Sequence, residues 1–231
     1  MGLPDTTATY QDLQAMLAGE GCALCRYRAQ SVGRFLDALY AEGINDVDTL
    51  LEVKTAGGLC REHTRAAIAR REPLATAALY AELLAADRRT LAALRTGRGR
   101  PRTSAHCPTC RHVQGGDRRA RFVLLRGLRD GALGEAWRVS DGLCAPDFAA
   151  CFGEADRRSR PILVEGQARA LGVLADRLQR LIASYDYRFR GERPPAVAAS
   201  WWRAANLQSG AGVAGPPPLP EARGDRGAVD P

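Results

Sequence analysis

The sequence contains cysteine and histidine pairs at spacings that suit a metal ion. Cys22 and Cys25 form a Cys-x-x-Cys pair, and Cys60 and His63 form a Cys-x-x-His pair further along the chain. Two side chains three residues apart lie on the same face of a helix, so each pair can turn toward one point. Thiolate sulfur and imidazole nitrogen are ligands that Zn²⁺ takes in closed tetrahedral shells. The spacing predicts a first site, a structural zinc bound by these four residues.

A second copy of the pattern follows, with one ligand changed. Cys107 and Cys110 repeat the Cys-x-x-Cys pair. Cys144 and Asp147 repeat the second pair, with aspartate in the place of histidine. Carboxylate oxygen is also a zinc ligand, so these four residues form a second predicted site. A metal-free cluster of packed thiols and an open site holding a water remain alternatives.

Other residues near the second site offer replacement ligands or charge compensation. Cys151 lies four residues after Asp147, on the same helical face, and can substitute for it. His106 and His112 flank the Cys-x-x-Cys pair and are further candidates. Three thiolates and a carboxylate exceed the charge of the ion, and Arg111 is the cation nearest in sequence to offset the excess.

The same cysteines allow two other interpretations. The two Cys-x-x-Cys pairs can form one four-cysteine site resembling a rubredoxin or a zinc ribbon, which leaves the two later pairs without a role. A thiol redox function is the other alternative. It normally requires a Cys-x-x-Cys after a strand in a thioredoxin-like unit, and no period-2 strand pattern is visible.

The two copies indicate an internal duplication. Gly58-Leu59-Cys60 recurs 84 residues later as Gly142-Leu143-Cys144. A repeat of this length is too long for a solenoid unit and suits a duplicated helical subdomain.

The elements that carry the pairs are predicted to be helices. Val32, Phe35, Leu36 and Leu39 recur at three- and four-residue steps, as on one buried helix face. Asp46 can cap a short second helix, Gly57-Gly58 breaks the chain before a third helix at Cys60, and Pro73 suits the first turn of a fourth. We expect an all-α fold of two metal-bound helical subdomains packed as an antiparallel helix bundle. The predicted divisions are an N-terminal extension (1–21), a first unit (22–97), a basic linker (98–106), a second unit (107–208) and a disordered Gly/Pro-rich tail (209–231).

From about Cys22 to Leu207 the motifs resemble a family of uncharacterised bacterial proteins, the DUF6062 family. The resemblance lies in the CPxC and Gly-Leu-Cys-x-x-His motifs and in the later segments Ser184–Glu192 and Trp201-Trp202-Arg203-Ala204. It implies ligand roles for six cysteines and for His63, and it implies no activity. Asp147 departs from the histidine expected at its position.

The amino-acid composition suggests which partners the protein could bind. The net charge is +7, and Lys54 is the only lysine. An arginine-rich stretch can contact phosphates and Trp201-Trp202 can stack on bases, so a nucleic-acid-binding protein with structural zinc is an alternative function. The arginines concerned are Arg95, Arg98, Arg100 and Arg102.

No apolar run reaches the length of a membrane span and no secretory leader is recognisable, so we expect a cytoplasmic protein. Gly-x-Ser-x-Gly, phosphate-loop and His-Glu-x-x-His motifs are missing from the sequence, and no small-molecule substrate is indicated. The sequence therefore favours a non-enzymatic zinc protein that serves as an interaction or scaffold module for an unknown protein partner.

Overall fold

The computed structural model describes residues 7–43, 46–98, 100, 107–129, 131–186, 188 and 191–212. All regular structure within these residues is helical, which confirms the predicted all-α class. The helices are α1 (Thr7–Leu17), α2 (Ala23–Ala38), α3 (Val47–Thr55), α4 (Arg61–Ile68), α5 (Pro73–Leu94), α6 (Pro108–Gly127), α7 (Gly131–Val139), α8 (Ala145–Glu154), α9 (Ser159–Ala183), α10 (Pro195–Ala198) and α11 (Ser200–Ser209). A π-helical turn, Leu39–Gly43, continues α2.

Several helix ends lie where the sequence places them. Asp46 caps α3, because its Oδ2 accepts a hydrogen bond from the Thr49 backbone N–H at 3.0 Å. Pro73 is the first residue of α5, a position that needs no backbone N–H. Gly43 ends the turn that follows α2. Local signals in the sequence therefore locate these three helix ends.

Helices α2 and α6 pack side by side in opposite directions. Arg28, near the start of α2, contacts Asp117 in the middle of α6, with Nε and Oδ2 2.8 Å apart. Phe35, near the end of α2, contacts His112 near the start of α6, with ring centroids 5.2 Å apart. Since α2 has 16 residues, its ends lie roughly 24 Å apart. The two Cys-x-x-Cys pairs, one at the start of each helix, therefore lie at opposite ends of this antiparallel pair.

Each end of the α2–α6 pair has its own apolar core. The first core surrounds the start of α2 and the end of α6, and contains the fully buried Leu13 of α1 and Trp137 of α7. The second core surrounds the end of α2 and the start of α6, and contains the fully buried Leu36 and Leu79. Both cores draw residues from both halves of the chain.

The predicted N-terminal extension (1–21) contains a helix that the sequence analysis did not assign. Leu13 and Leu17 of α1 are 0% and 2% exposed, and Thr9 is also buried. Their four-residue spacing gives α1 one apolar face, which closes the first core. This segment is therefore part of the packed structure.

Two predictions concern segments that are largely outside the described residues. Of the basic linker (98–106), only residues 98 and 100 are described, and of the Gly/Pro-rich tail (209–231), only residues 209–212. The predicted division of the chain into two units stays a prediction. In the described ranges, no helix is both long and apolar enough to cross a lipid bilayer.

Candidate metal centres

Each of the four ligand pairs lies at the start of its own helix. The first residue of each pair is the residue that caps the helix start, and the second lies three residues later in the first turn. Such residues lie side by side, as the two partners of a capping box do. None of the four caps uses its sulfur to bond the helix backbone, so the sulfurs remain directed at one another. The pairs open α2 (Cys22), α4 (Cys60), α6 (Cys107) and α8 (Cys144).

A glycine two residues before Cys60 and another before Cys144 make the turns that aim the second pairs. Gly58 has φ +99° and Gly142 has φ +80°, in the left-handed region that L side chains rarely adopt. Behind Gly142, the Gln167 side chain accepts a hydrogen bond from the Leu143 N–H and donates one to the Leu143 carbonyl, both at 2.8 Å. This clamp fixes the backbone that leads into Cys144.

One group of candidate ligands, called here the Cys60 cluster, consists of Cys60, His63, Cys107 and Cys110. Their ligand atoms lie within 4.8 Å of one another. His63 Nδ1 lies 3.2 Å from Cys60 Sγ, 3.5 Å from Cys107 Sγ and 3.3 Å from Cys110 Sγ. The Cys60 and Cys110 sulfurs are 3.7 Å apart.

The other group, called here the Cys22 cluster, consists of Cys22, Cys25, Cys144 and Asp147, all of them buried. One carboxylate oxygen, Oδ2 of Asp147, lies 3.4 Å from the Cys22 sulfur, 3.4 Å from the Cys25 sulfur and 3.2 Å from the Cys144 sulfur. The Cys25 and Cys144 sulfurs are 3.6 Å apart.

These separations match the edges of a zinc tetrahedron. With Zn–S near ~2.3 Å and Zn–N or Zn–O near ~2.0 Å, adjacent sulfurs lie about 3.8 Å apart, and sulfur lies about 3.5 Å from nitrogen or oxygen. A disulfide would bring two sulfurs to about 2.05 Å, and all seven cysteines are free. Both clusters can therefore hold a four-coordinate metal ion.

The structure corrects the predicted grouping of the ligands. The sequence analysis assigned each Cys-x-x-Cys to the later pair of its own copy. Instead, Cys22 and Cys25 lie with Cys144 and Asp147, and the first copy's Cys60 and His63 lie with the second copy's Cys-x-x-Cys. The four-cysteine alternative is also wrong, because antiparallel packing of α2 and α6 separates the two Cys-x-x-Cys pairs.

Arg28 offsets part of the extra negative charge that Asp147 brings to the Cys22 cluster. Its NH2 group donates to Asp147 Oδ1 at 2.8 Å, and its Nε bonds Asp117 Oδ2 at 2.8 Å. The two oxygens of the Asp147 carboxylate thus have different partners. Oδ1 accepts a hydrogen bond from the Arg28 guanidinium, and Oδ2 lies among the three sulfurs of the cluster. Arg111, the cation that the sequence suggested, instead pairs with Glu52 on the surface, at 2.9 Å.

The thiols of the Cys22 cluster share protons unequally. Hydrogen bonds from the Cys144 and Cys25 thiols lower the pKa of Cys22 to about 2. The corresponding contacts, first with Cys144 and then with Cys22, raise the pKa of Cys25. The pKa values of these two thiols thus shift in opposite directions, so one thiol ionises before the other, and a metal ion must displace the remaining protons to bind.

The Cys60 cluster has the same asymmetry. Burial opposes ionisation of Cys107, but hydrogen bonds from the backbone and thiols of Cys60 and Cys110 outweigh it and lower the pKa of Cys107. Burial and the Cys60 thiol raise the pKa of Cys110 to about 12. Burial lowers the pKa of His63, which favours the neutral imidazole, the form that binds a metal.

The alternative ligands for the second site do not join either cluster. Cys151 is fully buried in the first core, where burial, and then the Asp147 charge, raise its pKa to about 12. It is absent from both groups of described ligand atoms. His112 packs on the Phe35 ring instead, and His106 lies outside the described residues.

The residues of the nucleic-acid alternative lie at the surface where they are described. Arg95, Arg98 and Arg100 are exposed, and Arg102 lies outside the described residues. Trp201 is 43% exposed, whereas Trp202 is half-buried against a cavity beside the Cys22 cluster.

Sequence reasoning missed Arg28 and Gln167. Arg28 follows Cys25 by three residues, so it lies one helical turn beyond that ligand. A positive charge at this distance from a negatively charged site was the signal that could have identified it. No local pattern identifies Gln167, because its hydrogen-bond partner, the Leu143 backbone, lies 24 residues earlier in the chain. Comparison of the chain with protein-family models, with curated proteins and with solved structures found no match. The resemblance drawn from the motifs therefore stays a prediction.

Proposed function

We propose that the protein is a non-enzymatic helical scaffold in which two structural zinc ions, one in each cluster, hold the two copies of the repeat together. The observation that carries this proposal is the grouping of the ligands. Each cluster takes two ligands from one copy and two from the other.

The donor sets support a structural role for the metal. Each cluster offers four side-chain ligands to a tetrahedral ion, which leaves no coordination position for a substrate or a reactive water. Each also lies within one of the two apolar cores, since Cys22 and Cys144 belong to the first core and Cys107 to the second. A metal there joins helices that are distant in sequence, so its binding energy becomes folding energy.

Helix α5 supports a role in protein interaction. Only Leu79 and Leu83 of its 22 residues are buried. Leu74, Leu84 and Leu91 are 84%, 61% and 62% exposed. Exposed apolar side chains along one helix are typical of surfaces that contact another protein.

Elemental analysis and thermal unfolding test the zinc proposal. We expect about two zinc ions per chain, and a fall in Tm of more than about 10 °C after a strong chelator removes them, since each kcal/mol shifts Tm by about 2–4 °C at this size. Cys151→Ala is the matched control, because it removes a buried thiol outside both clusters and should retain both ions. An unchanged Tm in the zinc-free protein would refute the structural role.

Two alternative functions, nucleic-acid binding and thiol redox activity, can each be tested by a separate measurement. A phosphate-driven complex must weaken steeply between about 50 and 200 mM salt in a gel-shift assay, and substitution of the exposed Arg95, Arg98 and Arg100 should weaken it. A redox protein should form a reversible disulfide at the Cys-x-x-Cys pairs while it performs turnover. Our proposal expects neither result.

A further inference from the structure

A cavity of about 450 Å³ adjoins the Cys22 cluster, where α2, α9 and α11 meet the turn between α7 and α8. Its volume lies within the range of small-molecule sites. Cys22 and Cys25 contribute to one wall, and the remaining walls are formed by other side chains that bind no metal in our proposal. The cavity is therefore distinct from the metal centre, although the two share α2.

Apart from the two cysteines, the side chains that line the cavity carry a net positive charge. Four arginines line it against two carboxylates, Glu20 and Asp141. Both carboxylates lie within ion-pair distance of one arginine, Arg203. Among the described residues, the other three arginines have no carboxylate within ion-pair distance. They are Arg26 of α2 and Arg169 and Arg177 of α9.

Polar groups without partners are concentrated at the same place. Five described side chains have a buried nitrogen or oxygen that lacks a hydrogen-bond partner, and three of them line this cavity, namely Arg169, Trp202 and Arg203. Such groups cost stability unless a partner is present, so their clustering needs an explanation. All three atoms are N–H donors, which suit an acceptor-rich ligand.

The helices add an apolar wall. Ala170, Val173 and Leu174 lie between Arg169 and Arg177 on one face of α9, at helical spacing. Leu207 of α11 lines the cavity from another side. Cationic and apolar side chains thus line the same cavity.

We propose that this cavity binds a small organic anion, with a phosphate or carboxylate group held by the arginines and an apolar or aromatic body packed against α9 and α11. Arginine donates paired hydrogen bonds to either anion, so phosphate and carboxylate share this chemistry. The proposal goes beyond the structural role of the zinc ions and does not depend on it.

Binding of four matched probes to the zinc-loaded full chain tests the proposal. Phenyl phosphate and benzoate combine an anion with an aromatic body, inorganic phosphate lacks the body, and benzyl alcohol lacks the charge. We expect calorimetry to show at least tenfold tighter binding of one of the two aromatic anions than of benzyl alcohol or of inorganic phosphate. Tighter binding of phenyl phosphate identifies a phosphate ligand, and tighter binding of benzoate a carboxylate ligand.

Substitutions in α9 test whether the probe binds in this cavity. Arg169→Gln and Arg177→Gln should each lower the affinity for the probe roughly ten- to hundredfold, the usual cost of losing a hydrogen bond from a charged group. Val173→Trp, at a position 38% exposed, should abolish binding by filling the space. Arg180→Gln is the matched control, since Arg180 lies on the same helix outside the cavity and its loss should leave affinity unchanged.

The proposal is overturned if benzyl alcohol binds as tightly as the anions, or if none of the anionic probes binds. It is also overturned if Arg180→Gln weakens binding as much as Arg177→Gln does. Arg177 is half-buried and has no acidic partner among the described residues, so its variant should fold even if the Arg169 variant does not.

Discussion

At the scale of single residues, the two clusters differ by one ligand and one compensating cation. With zinc bound, three thiolates and a neutral imidazole leave the Cys60 cluster with one excess negative charge. Asp147 in place of the imidazole would give the Cys22 cluster two, and Arg28, which also pairs with Asp117, offsets part of this charge through its 2.8 Å contact with Asp147. The corresponding position of the second copy, three residues after Cys110, is the buried Val113. Aspartate and arginine thus occur together at one cluster, and histidine and valine at the other.

This pairing predicts the effect of removing the cation. Arg28→Met should weaken zinc binding at the Cys22 cluster about 10- to 100-fold, the usual effect of losing a group that orients a metal ligand, and should leave the Cys60 cluster unchanged. Competition with a chromophoric chelator measures both affinities. Arg34→Met is the control, because Arg34 lies on the same helix but pairs with Asp12, away from the metal ligands.

A second substitution separates charge balance from general damage to α2. Adding Asp147→His to Arg28→Met recreates the charge of the Cys60 cluster and should recover most of the lost zinc affinity. If the double variant binds zinc no better than Arg28→Met alone, Arg28 does not act through the charge of Asp147.

At the scale of the elements, the turn that precedes Cys144 depends on a glycine. A Cβ on Gly142 would lie 2.9 Å from Gln167 Oε1 and 3.0 Å from Ala170 Cβ, and φ is +80°. Gly142→Ala should therefore lower the free energy of unfolding by about 1–3 kcal/mol, the cost of a strained backbone position. Gly172→Ala, within α9 and in open space, should instead raise it by about 0.5–1 kcal/mol. Denaturant unfolding of both variants checks the contrast, and equal effects would show that the turn does not require glycine.

Helix starts were readable from the sequence, whereas the pairing of helices was not. Asp46 and Pro73 mark helix ends through local chemistry, and the Cys and His spacing identified seven of the eight ligand positions by type and Asp147 by its place in the repeat. Which pairs meet depends on the register of α2 against α6, set by contacts such as Arg28 with Asp117, which are 89 residues apart. No local pattern carries that information.

Helix length nevertheless held a clue to the pairing. Helix α2 moves the chain roughly 24 Å from Cys22, and the nine residues of α3 span only about 13 Å. Helix α3 alone is therefore too short to return the chain to its own Cys-x-x-Cys. In the second copy, α6 has 20 residues and α7 has nine, so the same shortfall separates Cys107 from Cys144.

At the scale of the whole molecule, the exchange of ligand pairs makes the two copies interdependent. Each core contains residues of both copies, and each cluster joins a Cys-x-x-Cys of one to the later pair of the other. Neither copy can complete a four-ligand shell alone. We therefore infer that the two copies fold as one unit around the α2–α6 pair, with a metal site at either end.

Zinc content of double variants tests this exchange most directly. If the ligands are grouped across copies, Cys22→Ala with Cys144→Ala damages one site and leaves about one zinc per chain, whereas Cys22→Ala with Cys60→Ala damages both and leaves about none. Elemental analysis after dialysis against a chelator of intermediate strength gives both values. About none for the first pair and about one for the second would show that each copy binds its own zinc and would contradict the crossed arrangement.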